Sequence, residues 1–523
     1  EVERILNMVD GALILVDAAE GIMPQTKFVL TKALAQNLKP IVVINKIDRP
    51  DERATEVLDE IFDLFVALGA SEDQLDFPVL YASAKQGFAK DNKEDEPQGM
   101  EPLLKSIITH IPAPKGDLEK PFRFLATMTE ADAYVGKLLT GKIYSGDLVT
   151  NMHVAIVGAN GVVAKTRVSK IFKFNGLEKI TVEKAYAGDI VTIAGCEAGK
   201  VGNTITSLED TTALPTIVVD PPTISVDIGI NTSPLSGQDG TKLTTRVLRD
   251  RLFQEAETNV SIAVEEKPNA ESFKVSARGE LQIGILVENL RREGFEVSIS
   301  RPQVIYKYDD TGSKLEPIEE AIVDVDEEYV GKIMEALTQR RGELQDMFSI
   351  SGNKTRLIFS IPSRGLIGYR QQMLTDSAGT AILNGRFLEY QNFKGAIGGA
   401  KRGALISSEN GKGIAYALWN IEERGKLFIT PGTDLYVGMI IGENARPHDL
   451  EVNPTKQKKL TNIRASGKDE SIRLTPIKPL NLEWAITYIE DDELVEVTPK
   501  NIRIRKKILD PNMRKRSLKK TSS

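Results

Sequence analysis

Two short polar segments, NKID at 45–48 and SAK at 83–85, carry residue types that could recognise a purine base. Each follows an apolar run, at 40–44 and 77–82, of the kind that a parallel strand covered on both faces requires. Ligands of doubly wound α/β sheets bind beyond the carboxyl ends of the strands. The pattern therefore predicts that the two segments meet at one ligand.

The side chains favour guanine over adenine. Guanine presents its N1–H and 2-amino group side by side, and an ionised Asp48 can accept from both. Adenine presents an acceptor at N1, so this pairing would be lost at a cost of roughly 1–3 kcal/mol. The stem of Lys46 would cover the base, an N–H near Ala84 would donate to O6, and Asn45 would brace the two loops. The predicted base-binding residues are Asn45, Lys46, Asp48, Ser83, Ala84 and Lys85.

An alternative interpretation of NKID is purely structural. Asp48 or Asp51 would then be the N-cap of a helix beginning near Glu52, because aspartate is a preferred capping residue. The downstream SAK segment favours the binding interpretation.

The sequence lacks a segment that could hold phosphates. None of the 523 residues form a G-x-x-x-x-G-K-[ST] motif, so no residue is assigned to phosphoryl transfer or to Mg²⁺. Val2, Ile5 and Leu6 have helical spacing with no capping residue ahead of them. We therefore expect an amino-terminal truncation, and no GTP hydrolysis by these residues alone.

Length and composition bound the class of protein. A chain of 523 residues predicts roughly three to five domains, and its apolar runs are shorter than the ~20 residues that cross a bilayer. Cys196 is the one cysteine, which fits a reducing cytosol. The three histidines are too scattered to suggest a metal site, and the net charge of −7 argues against a uniformly basic nucleic-acid binder.

The chain is predicted to be a multidomain α/β and β protein. Strands at 12–16, 41–44 and 79–82 alternate with helices at 25–37 and 52–68, which indicates part of a P-loop-type G domain. A glycine-punctuated, β-rich stretch predicts a small β-barrel, and two successive βαββαβ patterns predict ferredoxin-like α+β domains. A β-rich carboxyl-terminal domain follows. The predicted boundaries are 1–112, 117–210, 220–305, 313–394 and 395–523.

Two basic segments are candidates for RNA binding, although the chain is acidic overall. In the loop 446–468 the candidates are Lys456, Lys458, Lys459 and Arg464, and a solvated surface loop is the alternative. Residues 500–520 hold ten basic residues and one acid, Asp510, and a disordered solubilising tail is the alternative there. The tail candidates are Arg503, Arg505, Lys506 and Lys507.

Several longer strings resemble the TypA/BipA family of translational GTPases, and the resemblance runs essentially end to end. The last three of the strings given below are the most specific, because they lie outside the G domain, which is alike in all translational GTPases. The strings are ILNMVDG (5–11), RGEL (278–281), RREGF (291–295), IPSRGLIG (361–368), KLTNIRASG (459–467) and DDELVEVTP (491–499).

The resemblance implies a cytoplasmic, monomeric, ribosome-binding GTPase that assists large-subunit assembly and stress adaptation. It implies GTP or GDP with Mg²⁺, contacts with ribosomal RNA and, at the intersubunit site, with tRNA, and catalytic residues upstream of Glu1. Lys142 departs from the arginine usual in this family, which puts a bidentate contact there in doubt. A nucleotide-independent ribosomal-RNA-binding module and a factor like LepA or elongation factor G are the alternatives.

Overall fold

The computed structural model describes residues 2–97, 99–114, 116–132, 134–158, 161–215, 221–259, 261–268, 271–350, 353–398, 402–457, 474–477 and 480–521. The chain divides into two compact units, residues 1–219 with 257–259, and residues 220–256 with 260–523. Among the described residues, no helix has both the length and the apolar character that a bilayer crossing needs.

The first unit begins with the predicted alternation of strands and helices. Three parallel strands are joined by one antiparallel strand at the edge, and Asp17 lies opposite Asn45, which lies opposite Ala82. Burial of the central strand on both faces explains its unbroken apolar run. The strands are Gly11–Asp17, Lys39–Asn45, Val79–Ser83 and Phe88–Lys90, and the helices are Val2–Leu6, Pro24–Ala35, Ala54–Ala67, Glu72–Leu75 and Glu101–His110.

A β-rich segment completes this unit, and the described residues of 121–205 contain no helix, as predicted. Eight of its strands form one antiparallel sheet, and two short strands pair separately. The strands are Arg123–Asp132, Gly136–Ser145, Asp147–Val149, His153–Gly158, Gly161–Arg167, Lys170–Asn175, Glu178–Val182, Lys184–Tyr186, Ile190–Ala194 and Thr204–Ser207.

The second unit starts with the predicted βαββαβ order. Its four strands are antiparallel, and the first strand in sequence lies between the third and the fourth. Ile283, Leu286, Val287 and Leu290, the predicted helical stripe, are at most 1% exposed. The elements are Ile224–Ile230, helix Thr245–Thr258, Ala263–Glu266, Ser272–Ala277, helix Glu280–Arg292 and Val297–Ser300.

The same strand order repeats in the next segment. The first α-helix of this segment ends at Gln339, and Glu343 already belongs to a strand. Arg341 has a left-handed backbone with φ 68°, and the Gly342 N–H donates to the Leu337 carbonyl, which closes the helix. The elements are Gln303–Val304, Lys307–Tyr308, Lys314–Asp326, Glu327–Tyr329 (3₁₀), Val330–Gln339, Glu343–Ile350, Lys354–Pro362, helices Ser363–Leu366 and Tyr369–Asp376, and Ile382–Asn392.

The carboxyl-terminal segment adds strands to the sheet that contains Ile224–Ile230 and Val297–Ser300. Glu493–Val497 pairs with Val297–Ser300, and Ile502–Lys506 continues the same sheet. The apolar core is accordingly shared, with Val495 and Ile504 packed in the cluster that holds Ile299. The remaining elements are Gly403–Ser407, Gly411–Lys412, helix Ala415–Glu422, Gly425–Leu427, Asp434–Leu435, Met439–Asn444, Leu450–Val452, and helices Leu482–Tyr488 and Pro511–Thr521.

Candidate guanine-recognition site

Three polar residues end the three parallel strands of the first unit. Asp17, Asn45 and Ser83 occupy these ends, and the parallel register sets Asp17 beside Asn45 and Asn45 beside Ala82. The predicted residues of both loops therefore converge at one edge of the sheet.

Asn45 joins the two loops. Its Oδ1 accepts a hydrogen bond of 3.0 Å from the Ala84 N–H, which is the bracing contact expected from the sequence. This contact occupies the N–H that was expected to reach guanine O6. The next N–H, that of Lys85, has no hydrogen-bond partner among the described residues. Ser83 is buried, and its Oγ accepts from the Gln86 N–H at 3.2 Å, which fixes the second loop.

Lys46 is anchored by a residue that the sequence analysis missed. Its Nζ lies 2.7 Å from Asp17 Oδ2, and its backbone is left-handed with φ 65°. Burial would raise the pKa of Asp17, but hydrogen bonds from Lys46 and from the N–H groups of Ala19 and Glu20 lower it to about 2. Asp17 stays ionised and fixes the position of the Lys46 stem. Its place at the end of the apolar run 12–16 was the available signal, and its pairing with Asn45 was not visible in the sequence.

Asp48 is available for a ligand. Its side chain is exposed and makes no hydrogen bond or ion pair with the described residues. The helix-capping alternative is wrong, because the helix begins at Ala54, whose N–H donates to Glu52 Oε2 at 3.0 Å. Asp51 instead accepts two hydrogen bonds from Arg49, at 2.8 and 2.9 Å.

The structure corrects most of the prediction for the basic tail. Arg503, Arg505 and Lys506 are at most 9% exposed, so they are not at the surface where phosphates could bind. Arg503 Nη1 lies 2.7 Å from Glu496 Oε1, and Arg505 Nη2 donates to the Thr232 hydroxyl at 3.0 Å. These cations face inward from a strand of a sheet, so the alternative of a disordered tail is also wrong for this strand.

Other basic candidates remain at the surface or lie outside the described residues. Lys507 is exposed, although its Nζ donates to the Asp491 carbonyl, and Lys456 is exposed as well. Lys458, Lys459 and Arg464 lie outside the described residues. The tail continues as the helix Pro511–Thr521, on which Lys515 and Arg516 are exposed.

Although position 142 is a lysine and not an arginine, Lys142 contacts both oxygens of one carboxylate. Lys142 is buried, and its Nζ lies 3.0 and 3.1 Å from the two carboxylate oxygens of Asp10. One ammonium group thus bridges both oxygens, where a guanidinium would have used two N–H groups.

Comparison with known proteins matches most of the chain to translation-factor families. Residues 1–113 match the elongation factor Tu GTP-binding domain, 136–206 match elongation factor Tu domain 2, and 313–399 match the elongation factor G C-terminus. Residues 402–511 match the TypA/BipA C-terminal domain. The last match separates the chain from LepA and from elongation factor G.

Similar proteins include three with the name large ribosomal subunit assembly factor BipA. The protein of Haemophilus influenzae is 47% identical over 100% of this chain and 85% of its own length. Those of Bacillus subtilis and Escherichia coli K12 are 44% and 46% identical, each over 99% of this chain and 85% of their length. With a GTP-binding domain at one end and the family-specific domain at the other, the chain belongs to the TypA/BipA family of translational GTPases.

Proposed function

We propose that this protein is a ribosome-associated GTPase that acts in assembly of the large ribosomal subunit. The observation that carries the proposal is similarity along the whole chain, at 44–47% identity, to proteins with that name. Because ribosomes are in the cytoplasm, we propose a cytoplasmic protein whose partners are ribosomal RNA and tRNA. We also propose that it acts as a monomer.

The site at 45–48 and 83–85 would recognise the guanine base of GTP or GDP. Asp48 would accept from N1–H and the 2-amino group, and Lys46, held by Asp17, would cover one face of the base. The N–H groups of Ala84 and Lys85 are the donors nearest to the expected position of O6, with Asn45 holding the loops together. The unpaired, exposed Asp48 carboxylate at the strand edge supports this fit.

In GTP hydrolysis the γ-phosphoryl group would pass from GTP to water, and Mg²⁺ would stabilise the negative charge of the phosphates. This reaction relies on positioning and electrostatics rather than on covalent catalysis. No residue of the 523 is assigned to the phosphates, to the metal or to catalysis, because the sequence contains no phosphate-loop motif.

We further infer the identity of the individual domains. The eight-stranded antiparallel sheet within 117–210 fits the small translation-factor barrel. The strand order within 220–305 and 313–394, with the first strand between the third and fourth, fits two ferredoxin-like domains. The matches to elongation factor Tu domain 2 and the elongation factor G C-terminus support these assignments.

Cosedimentation with large-subunit precursor particles tests the proposal. The whole chain must be used, because Glu493–Val497 pairs with Val297–Ser300 and residues 396–523 would lose that partner. We expect binding that is stronger with a guanine nucleotide than without one. It should weaken by roughly two to three orders of magnitude between 50 and 200 mM salt if about five phosphates are contacted. Equal binding without nucleotide would favour the alternative of an RNA-binding module, and absence of binding would refute both.

A further inference from the structure

A large groove lies within the second unit, away from the guanine site. Its volume is about 1470 Å³, which exceeds the ~300–1,000 Å³ of a typical small-molecule pocket. Its walls come from the segment after Val297–Ser300, the ends of the helices Val330–Gln339 and Tyr369–Asp376, and the helix Leu482–Tyr488. The groove is therefore large enough for a ligand bigger than a typical small molecule.

Arginines dominate the charge of this groove. Two of the five that line it are neutralised, Arg301 by Glu490 at 2.9 Å and Arg364 by Glu316 at 3.1 Å. The other three are Arg340, Arg370 and Arg402.

These three arginines contact neutral groups only. Arg340 donates to the Gly365 carbonyl at 2.9 Å, Arg370 donates to the Leu383 carbonyl at 3.0 Å, and the Arg402 guanidinium lies 5.0 Å from the Tyr488 ring centroid. The described residues give none of them an ion-pair partner. The remaining lining acids are Glu483 and Asp491, and Asp491 lies 3.6 Å from Arg301, so the three other arginines leave the groove with an excess of positive charge.

Two of these cations, Arg340 and Arg402, are also close enough to influence each other. Burial lowers the pKa of the Arg340 guanidinium, and the like charge of Arg402 lowers it further. An anion placed between them would relieve this repulsion.

Aromatic side chains adjoin the cations. Trp484 and Tyr488 both line the groove and stack on each other with ring centroids 4.2 Å apart and planes at 21°. Arg402 covers Tyr488, so a planar aromatic surface and a guanidinium group stand side by side.

We propose that this groove binds a single-stranded nucleic-acid segment, with Arg340, Arg370 and Arg402 on its phosphates and Trp484 against a base. Guanidinium groups match phosphate oxygens in fork geometry, and base–aromatic stacking accepts any base. The groove's volume of about 1470 Å³ favours a strand over a mononucleotide. This site is distinct from the guanine site, and the proposal does not depend on nucleotide binding there.

Binding of a fluorescein-labelled 12-mer of uridine to the full chain, followed by fluorescence anisotropy, tests the cations. The double variant Arg370→Gln/Arg402→Gln should weaken binding at least about tenfold, and the log–log salt slope should fall by about 1.4, since each single-strand phosphate contact contributes ~0.7. The matched control is Arg246→Gln/Arg424→Gln, two exposed arginines outside the groove, which should change affinity less than twofold. Equal loss in both variants would overturn the proposal.

Tryptophan fluorescence gives a second measurement that leaves the groove intact. The chain has two tryptophans, and Trp419 is 47% exposed on the helix Ala415–Glu422. In a Trp419→Phe variant, the uridine 12-mer should quench Trp484 with the affinity seen by anisotropy. Binding without quenching would refute the proposal. If uridine monophosphate competes as well as the 12-mer at equal concentration, the groove holds a small phosphorylated ligand, and the strand proposal is wrong.

Discussion

Lys506 lies directly opposite Glu493 on the neighbouring antiparallel strand, and its Nζ is 2.9 Å from Glu493 Oε1. Both side chains are at most 4% exposed. Asp449 and Asp492 also lie within 2.9 Å of the ammonium group. Burial alone would lower the pKa of Lys506, but these carboxylates raise it, so the lysine stays charged as part of the fold.

Removing this lysine should destabilise the second unit. Lys506→Ala leaves the buried Glu493 carboxylate without its cation, and breaking a buried ion pair typically costs about 3–5 kcal/mol. Its exposed neighbour provides the control, since Lys507→Ala should change stability by no more than about 0.5 kcal/mol. Hydrogen exchange of the strands Glu493–Val497 and Ile502–Lys506 measures the effect. Equal exchange in the two variants would mean that Lys506 is not a structural anchor.

In the basic tail, the burial of the charged side chains of the strand Ile502–Lys506 could not be predicted from the sequence. Ile502 and Ile504 alternate with Arg503 and Arg505, a pattern typical of a strand with one face in solvent. In the structure the polar face is covered as well. Glu496, itself fully buried, accepts from Arg503, and its other oxygen accepts from the Tyr436 hydroxyl at 2.6 Å. Tyr436 is 60 residues from Glu496 in the chain, and Thr232, the partner of Arg505, is 273 residues away, so no local pattern could predict this covering.

The strand ends of the first unit were predictable for the opposite reason. The unbroken apolar run 40–44 already requires a strand covered on both faces, and the ligand edge follows from the parallel order. Asp17 was missed because its role depends on the parallel register with Asn45, which a single sequence does not reveal.

Asp48 should determine base selectivity. Saturation-transfer NMR with the full chain should detect guanosine monophosphate in preference to adenosine monophosphate. Asp48→Ala should weaken guanosine monophosphate binding by about 1–3 kcal/mol, since the bidentate contact is lost. Asp48→Asn should gain xanthosine monophosphate, because its amide can donate to the xanthine O2. Asp51→Ala is the control, as Asp51 pairs with Arg49. A similar loss in both alanine variants would contradict the assignment.

Asn45 should hold the two base-binding loops together. In Asn45→Ala the Ala84 N–H loses its acceptor, a net loss of about 1 kcal/mol, so its exchange with solvent should accelerate roughly fivefold. The control is Asn92→Ala, whose exposed side chain contacts Asp95. Unchanged exchange at residues 83–87 would show that backbone contacts alone maintain the loops.

Cys196 offers a pH test of the β-rich segment, because it is the chain's one thiol. It is fully buried in the apolar core of that segment, and burial, followed by the charge of Glu197, raises its pKa from 9.0 to about 12. The folded state therefore favours the neutral thiol. Its contribution to stability is complete below pH 9 and is lost as pH rises from 9 towards 12.

Two measurements on Cys196 follow from this sign. Native protein at pH 8 should react with a disulfide reagent only as fast as the segment opens, whereas protein in denaturant should react at once. Between pH 8 and pH 10, wild type should lose about 1.4 kcal/mol of unfolding free energy relative to Cys196→Ala, since the unfolded thiol ionises one pH unit below the upper value. Equal losses of unfolding free energy in the two proteins would mean that the Cys196 thiol ionises as readily in the folded state as in the unfolded state. A native thiol that reacts as fast as the denatured one would mean that the thiol is accessible. Either result would refute a buried, neutral Cys196.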